Sequence, residues 1–403
     1  MFMPRLAGVA LLAALAMPAS AQTSAPDAFK ERLAIAQSRL AVNLFQRLSS
    51  PRKPMVVVSP ASIAGAAAAL DLGASTLLRG ALHTVLGFRK DADAVADLAI
   101  LRQTLERLGG AERQATPLKF ANSIIFNDNV ELYPGVALAF KQAGVDHAIL
   151  DFSAPETADK VNARIREQTA GLIPEIVDRA PAGTSLLVLN ALYFKDRWKT
   201  PFDRAETRPE SFKRVGGRPV TVSTMHLPQG RYLFRQDARF VGIDLPYADP
   251  RFSMVIVTTR GGRAAPVTGF ASAAEWLTGK GFAAAPGELA LPHFDASSRE
   301  DMTRVLDTLG LRAARLSPDA LSGFSADRAR ISRVVQRVEL RLNEEGTEAA
   351  AATAVMVERG VEADYVRMVV DKPFVFGLRD AATGLILVAG YVGQPTTLAT
   401  AAQ

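Results

Sequence analysis

The sequence predicts an α+β fold. Helical periodicity recurs through the first 170 residues, apolar strands follow from residue 185 to 392, and no Pro/Ser-rich linker, internal repeat or abrupt charge shift divides them. A single domain over residues 22–403 is the simplest division. Its 48% hydrophobic content supplies the core, although the alanine runs bury little area each.

Residues 1–21 stand ahead of that domain. Arg5, an apolar stretch over 6–17 and Pro18-Ala-Ser-Ala21 follow the order of a secretory signal peptide, too short to anchor in a bilayer and cleavable after Ala21. A secreted or periplasmic bacterial protein is the expectation. No later segment reaches about 18 consecutive strongly apolar residues, so no membrane partner is expected. The chain has no cysteine, which excludes disulfides and a lipid-modified N-terminal cysteine.

Residues 28–48 place Leu33, Ala36, Leu40 and Leu44 on one helical face. Residues 60–86 read mostly as helix, and Ser59 and Ser62 flank Pro60 where serine hydroxyls cap a helix start. A third helix runs from 158 to 169 and ends at Gly171. Strands are expected at 186–194, 220–225, 252–257 and 289–294. Residues 331–343 alternate through Val338, Leu340 and Leu342, and 366–370, 371–376 and 385–392 complete the set.

The formal charge is +6, and the cation-rich stretches 204–218 and 328–337 contribute to it. Glu206 and Glu210 interrupt the first, Asp327 and Glu339 flank the second, and aromatic interleaving of the kind that stacks bases is missing. Both read as solvated faces, so no nucleic-acid partner is expected. The imidazoles are His83, His147, His226 and His293, and none stands in a His-Glu-x-x-His zinc pattern or follows a Gly-x-Ser-x-Gly elbow. No catalytic residue, metal or cofactor is expected.

Residues 343–360 combine the features of a strand and a loop. Thr347, Ala349, Ala351, Thr353, Val355 and Val357 fall in one register, small or β-branched and uncharged, while Glu348 and Glu358 fall in the other. Composition alone equally allows a solvated helix or linker. The flanking strands favour the first reading.

Asn343-Glu-Glu-Gly-Thr-Glu-Ala-Ala-Ala351, followed after a gap by Lys372-Pro-Phe-Val-Phe376 and a last apolar strand, closely resembles the reactive-loop region of the serpins. Other stretches resemble that family in the correct order. They are Val56-Val-Val-Ser-Pro-Ala-Ser-Ile63, Phe120-Ala-Asn-Ser123, Asp151-Phe152, Val161-Asn162, Leu189-Asn-Ala-Leu-Tyr-Phe-Lys-Asp-Arg-Trp198 and Leu245-Pro-Tyr247. The matches span residues 40–395.

The resemblance implies about nine helices around three sheets, with an exposed reactive-centre loop at about 344–365. It implies a monomeric suicide inhibitor, not an enzyme, whose cleaved loop inserts into the main sheet as a strand. The hinge would comprise Glu344, Gly346, Thr347, Ala349, Ala350, Ala351 and Ala352, the small-residue version of inhibitory members. The family's spacing of seventeen residues from Glu344 gives a reactive bond between Gly360 and Val361, with Arg359–Gly360 as the alternative and Met356 and Val357 as further candidates. A trypsin-like, elastase-like or subtilisin-like serine protease would be the partner. A non-inhibitory serpin that binds or chaperones is the second reading, and a hydrolase the third.

Ser59, Ser62, Asn190, Trp198, His293 and Gln336 map to the region where the sheet opens. Glu344 is expected to meet His293, where the family commonly has Lys. Gln336 stands where serpins usually carry His, so hydrogen bonding beneath the opening, including Asn190, is expected to differ. Arg164 and Ile165 replace a Trp and a Val, and Val388-Ala-Gly-Tyr391 replaces Phe-Met-Gly-Arg.

Overall fold

The helical periodicity becomes α1 (Ala25–Leu48), α2 (Pro60–Asp71) and α3 (Thr76–Leu86), with strand β1 (Met55–Val58) ahead of α2. The computed structural model describes residues 25–88, 101, 103, 104, 107, 117–143, 145–179, 183–340, 342–346 and 365–397. Ser59 caps α2 by accepting from the Ser62 N–H, and Pro60 occupies the first turn, where a missing N–H is harmless. Most of α2 is buried. Its alanines allow close approach to strands on either side, at the expense of apolar area per residue.

Next come β2 (Leu118–Asn127), α4 (Val136–Gln142), β3 (Asp146–Leu150) and α5 (Thr157–Gln168). The strand-rich part contains β4 (Leu186–Phe194), β5 (Arg208–Phe212), β6 (Val220–Gln236), β7 (Phe240–Pro246), β8 (Phe252–Thr259) and β9 (Ala283–Pro292). It continues with β10 (Ser298–Asp301), β11 (Ile331–Leu340), β12 (Val366–Val369), β13 (Phe374–Asp380) and β14 (Ile386–Val392). Among the described residues these strands form two hydrogen-bonded sheets. One has five strands in the order β10-β11-β4-β2-β3, and the other nine, in the order β1-β14-β13-β8-β7-β6-β9-β12 with β5 on β6.

The three expected sheets are thus joined into two. β6 is 17 residues long where 220–225 was expected, and its register against β9 shifts between Leu227 and Gly230. That irregularity lets one strand serve β5 at its start and β7 at its end. β9 ends at Pro292, two residues before the expected limit, which leaves His293 just past the strand.

β4 is apolar except for Asn190 and is buried on both faces. Leu186, Val188, Leu192 and Phe194 join the main core, whereas Leu187, Leu189 and Ala191 lie under α5 in a second, smaller cluster. β4 and β11 pair directly and in parallel from Leu186/Ile331 to Phe194/Leu340, with Asn190 opposite Gln336. No strand lies between them.

Candidate functional site at the head of the five-stranded sheet

The chain leaving β11 turns sharply over residues 343–346. Asn343 Oδ1 accepts from the N–H groups of Glu345 (3.0 Å) and Gly346 (3.2 Å), an Asx-type turn closed by Asn343 N–H donating to the Gly346 carbonyl at 2.9 Å. Gly346 has φ +132, and a Cβ there would lie 2.5 Å from Arg197 Cα. Only glycine satisfies both the angle and the space.

This turn docks on the segment that follows β4. Trp198 N–H donates to the Glu345 carbonyl (2.9 Å), Phe202 N–H to the Glu344 carbonyl (2.8 Å), and Trp198 Nε1 to the Asn343 carbonyl (3.0 Å). Trp198 is itself fixed by stacking on Tyr247, with ring centroids 4.4 Å apart. Gly346 and Arg197 form an antiparallel bridge, so the last described residue of the turn already runs opposite to the chain that leaves β4.

The Glu344 side chain completes the clamp. Its Oε1 accepts from Thr207 Oγ1 at 2.7 Å and lies 2.9 Å from His293 Nε2. Burial pushes the carboxyl up, but the Thr207 hydroxyl, a backbone N–H and His293 outweigh it and hold Glu344 below the ordinary carboxylate range. Arg204 pairs with the adjacent Glu345 at 2.8 Å.

A second cluster lies further down the same seam. The Gln336 amide grips the Ser59 backbone at both ends, accepting from its N–H (2.8 Å) and donating to its carbonyl (3.0 Å). Ser59 Oγ lies 2.7 Å from Ser62 Oγ and donates to the Leu387 carbonyl at 2.6 Å. Asn190 instead donates to Asn122 Oδ1 at 2.6 Å, and its own Oδ1 is buried without a partner. β4 and β11 therefore share no side-chain hydrogen bond at this level.

Beyond the described residues lie Thr347, Ala349, Ala350, Ala351, Ala352, Arg359, Gly360 and Val361. The chain returns at Tyr365 on the other sheet. There β12 pairs in parallel with β9, and Glu288 receives Tyr365 Oη at 3.1 Å and pairs with Arg367 at 2.8 Å. Residues 347–364 thus connect one anchor on the five-stranded sheet to another on the nine-stranded one.

A family model described as serpin (serine protease inhibitor) matches residues 35–395. The chain belongs to the serpin family. Serine protease inhibitor 42Dd of Drosophila melanogaster is 32% identical over 363 residues, 87% of this chain and 95% of the relative. Leukocyte elastase inhibitor of Bos taurus is 29% identical over 384 residues, 91% of this chain and 100% of the relative. The crystal structure of Serpin48, a highly specific serpin of the insect Tenebrio molitor, has 25% identity and a TM-score of 0.77, covering 93% of this chain and 100% of that one. These relatives are animal proteins, and the expected bacterial source finds no support in them.

The structure of this serpin brings Trp198, His293, Glu344 and Gly346 into one clamp, and Ser59, Ser62 and Gln336 into the cluster below. Asn190 joins that level of the seam opposite Gln336, with no side-chain hydrogen bond between the two. Sequence reasoning missed Asn343, Thr207, Arg204 and Asn122. The Asn-Glu-Glu-Gly signature could have disclosed the Asn343 turn. Arg164, in place of the family's Trp, donates its Nε to Asp146 Oδ2 at 2.6 Å and its Nη2 to the other carboxylate oxygen, so a charged fork holds α5 to β3.

Proposed function

We propose that this serpin is a suicide-type inhibitor of serine proteases, trapping the acyl-enzyme by inserting its cleaved loop as a strand between β4 and β11. One observation carries the reading. β4 and β11 are parallel neighbours, and the chain leaving β11 turns at Gly346 into an antiparallel bridge at the head of that seam. A strand entering from there would lie antiparallel to both neighbours, the better-bonded arrangement. Thr347, Ala349, Ala350, Ala351 and Ala352 suit rapid entry because they carry no bulk to obstruct it.

The protease serine attacks the carbonyl of Gly360, or of Arg359 in the alternative. The peptide C–N bond breaks, the new amine of the following residue departs with a proton, and an ester joins the loop to the serine oxygen. The freed arm then inserts with the protease attached. The path from Thr347 to Gly360 spans roughly 43 Å at ~3.3 Å per residue. Displacement of the ester from the oxyanion hole stalls hydrolysis, since that site tolerates little misplacement. On the order of ten new backbone hydrogen bonds at ~1 kcal/mol each contribute roughly 10 kcal/mol, comparable to the whole stability of an ordinary domain.

Arg359 suits a trypsin-like specificity pocket, and Gly360 an elastase-like or subtilisin-like one. Removal of residues 1–21 would deliver the protein to a compartment where such proteases act; mass analysis of the mature N-terminus checks this. The functional test is incubation with a panel of these proteases, a denaturing gel, and mass analysis of the released C-terminal fragment. A denaturant-stable adduct and a fragment starting at Val361 or Gly360 are expected. Cleavage without adduct would identify a binding or chaperone-type serpin.

A further inference from the structure

We infer that Arg299 and Arg337 set how fast the seam between β4 and β11 opens, by tying the segment that crosses it to the β11 side. The inference rests on the insertion reading above. Ile173, Ile176 and Val177, just after α5, belong to one apolar cluster with Leu187 and Leu189 of β4 and Val335 of β11. The segment therefore lies across both strands that must part.

This bridge is fastened to both banks through neighbouring residues. On the β4 side, the buried Asn162 of α5 donates to the Val177 carbonyl (2.8 Å) and accepts from the N–H groups of Ile176 (2.9 Å) and Val177 (3.1 Å). On the β11 side, Arg337 donates to the Glu175 carbonyl at 3.0 Å. Arg299 of β10 reaches the Glu175 carboxylate at 3.3 Å and also binds the Asp178 carboxylate. The Arg299 hydrogen bond is the main cause holding the Asp178 carboxyl below its ordinary range.

Admitting a strand moves β10 and β11 away from β4 by one strand spacing, ~4.8 Å. Contacts of about 3 Å cannot survive on both banks through that movement. The Asn162 bonds are buried and neutral, whereas Arg299 and Asp178 line an open polar cleft of about 500 Å³ together with Arg179, Asp301 and Arg333. Salt weakens the arginine side first. The two arginines therefore stabilise the closed seam selectively, and opening becomes sensitive to ionic strength.

The test compares wild type with Arg299→Gln and Asp178→Asn, and uses Arg333→Gln as a control. Arg333 pairs with Asp301 at 3.0 Å, but both lie on the β11 bank, so opening leaves that pair intact. Hydrogen exchange in β4 and β11, and the rate of adduct formation, are measured at about 20 mM and about 500 mM salt. In wild type both should accelerate two- to fivefold at high salt. Arg299→Gln and Asp178→Asn should be fast at both concentrations, and Arg333→Gln should follow wild type. Wild-type behaviour in both seam variants, or an equal effect from the control, would overturn the inference. Absence of adduct from wild type with every protease would sink the inhibitory reading instead, while the exchange measurements still report on the ties.

Discussion

Glu344 is held by the Thr207 hydroxyl and the His293 imidazole. Its depressed carboxyl stabilises the clamp above the ordinary value of 4.5, and this contribution is lost as pH falls through the lower folded value. Exchange of the amides in residues 343–346, corrected for intrinsic rates, should therefore be faster below the ordinary carboxylate range than at neutral pH, and Glu344→Gln should remove the difference. Equal corrected rates in wild type would rule this out. Gly346→Ala forces a side chain into a φ of +132 and against Arg197, and should destabilise the intact protein by ~2 kcal/mol or more in urea denaturation; wild-type stability would mean the turn is not formed. The His293–Glu344 pairing was legible because both residues fall on family motifs. Thr207 was not, since a lone threonine on a different element carries no signal of its partner. The Arg164–Asp146 fork was hidden for the same reason.

Strands with a strong pattern were legible as elements, and their limits failed where the backbone is irregular. β4 was read with its observed bounds because a run of this length that is apolar but for Asn190 has one physical explanation, burial on both faces. β6 was cut short because Pro228, Gln229 and Gly230 look like a turn, yet they form an irregularity within a continuing strand. The pairing of β4 with β11 was legible only through the resemblance, which brought Asn190 and Gln336 to one place in the sheet; nothing local distinguishes adjacent parallel strands from separated ones. That pairing now gives the hinge a register. Continuing the antiparallel bridge from Gly346/Arg197 sets Ala351 opposite Leu192, on the main-core face, and Ala350 opposite Tyr193, on the α5 face. Ala351→Arg should therefore drive a charge into the core at a cost of roughly 3–5 kcal/mol and convert the protein from inhibitor to substrate. Ala350→Arg should remain an inhibitor of reduced efficiency. The ratio of adduct to cleaved protein at fixed protease checks this; equal ratios, or the reverse order, would mean that the register is wrong.

At the scale of the whole molecule, the proposed insertion would extend the five-stranded sheet to six strands. The fold class and the family were legible because motifs from one end of the chain to the other agree. The joining of three expected sheets into two was not, since it depends on how β6 bends. The intact protein keeps β4 and β11 paired, and Gly346 and Tyr365, on either side of residues 347–364, are anchored on different sheets. If cleavage frees that segment to insert, the gain of roughly 10 kcal/mol from new backbone hydrogen bonds must appear as thermal stability. The most direct measurement is the melting temperature before and after a single cut within the loop by a non-target protease, with both fragments retained. Insertion should raise it by roughly 10 °C or more for a chain of this size. A cleaved protein that melts at the temperature of the intact one would contradict it.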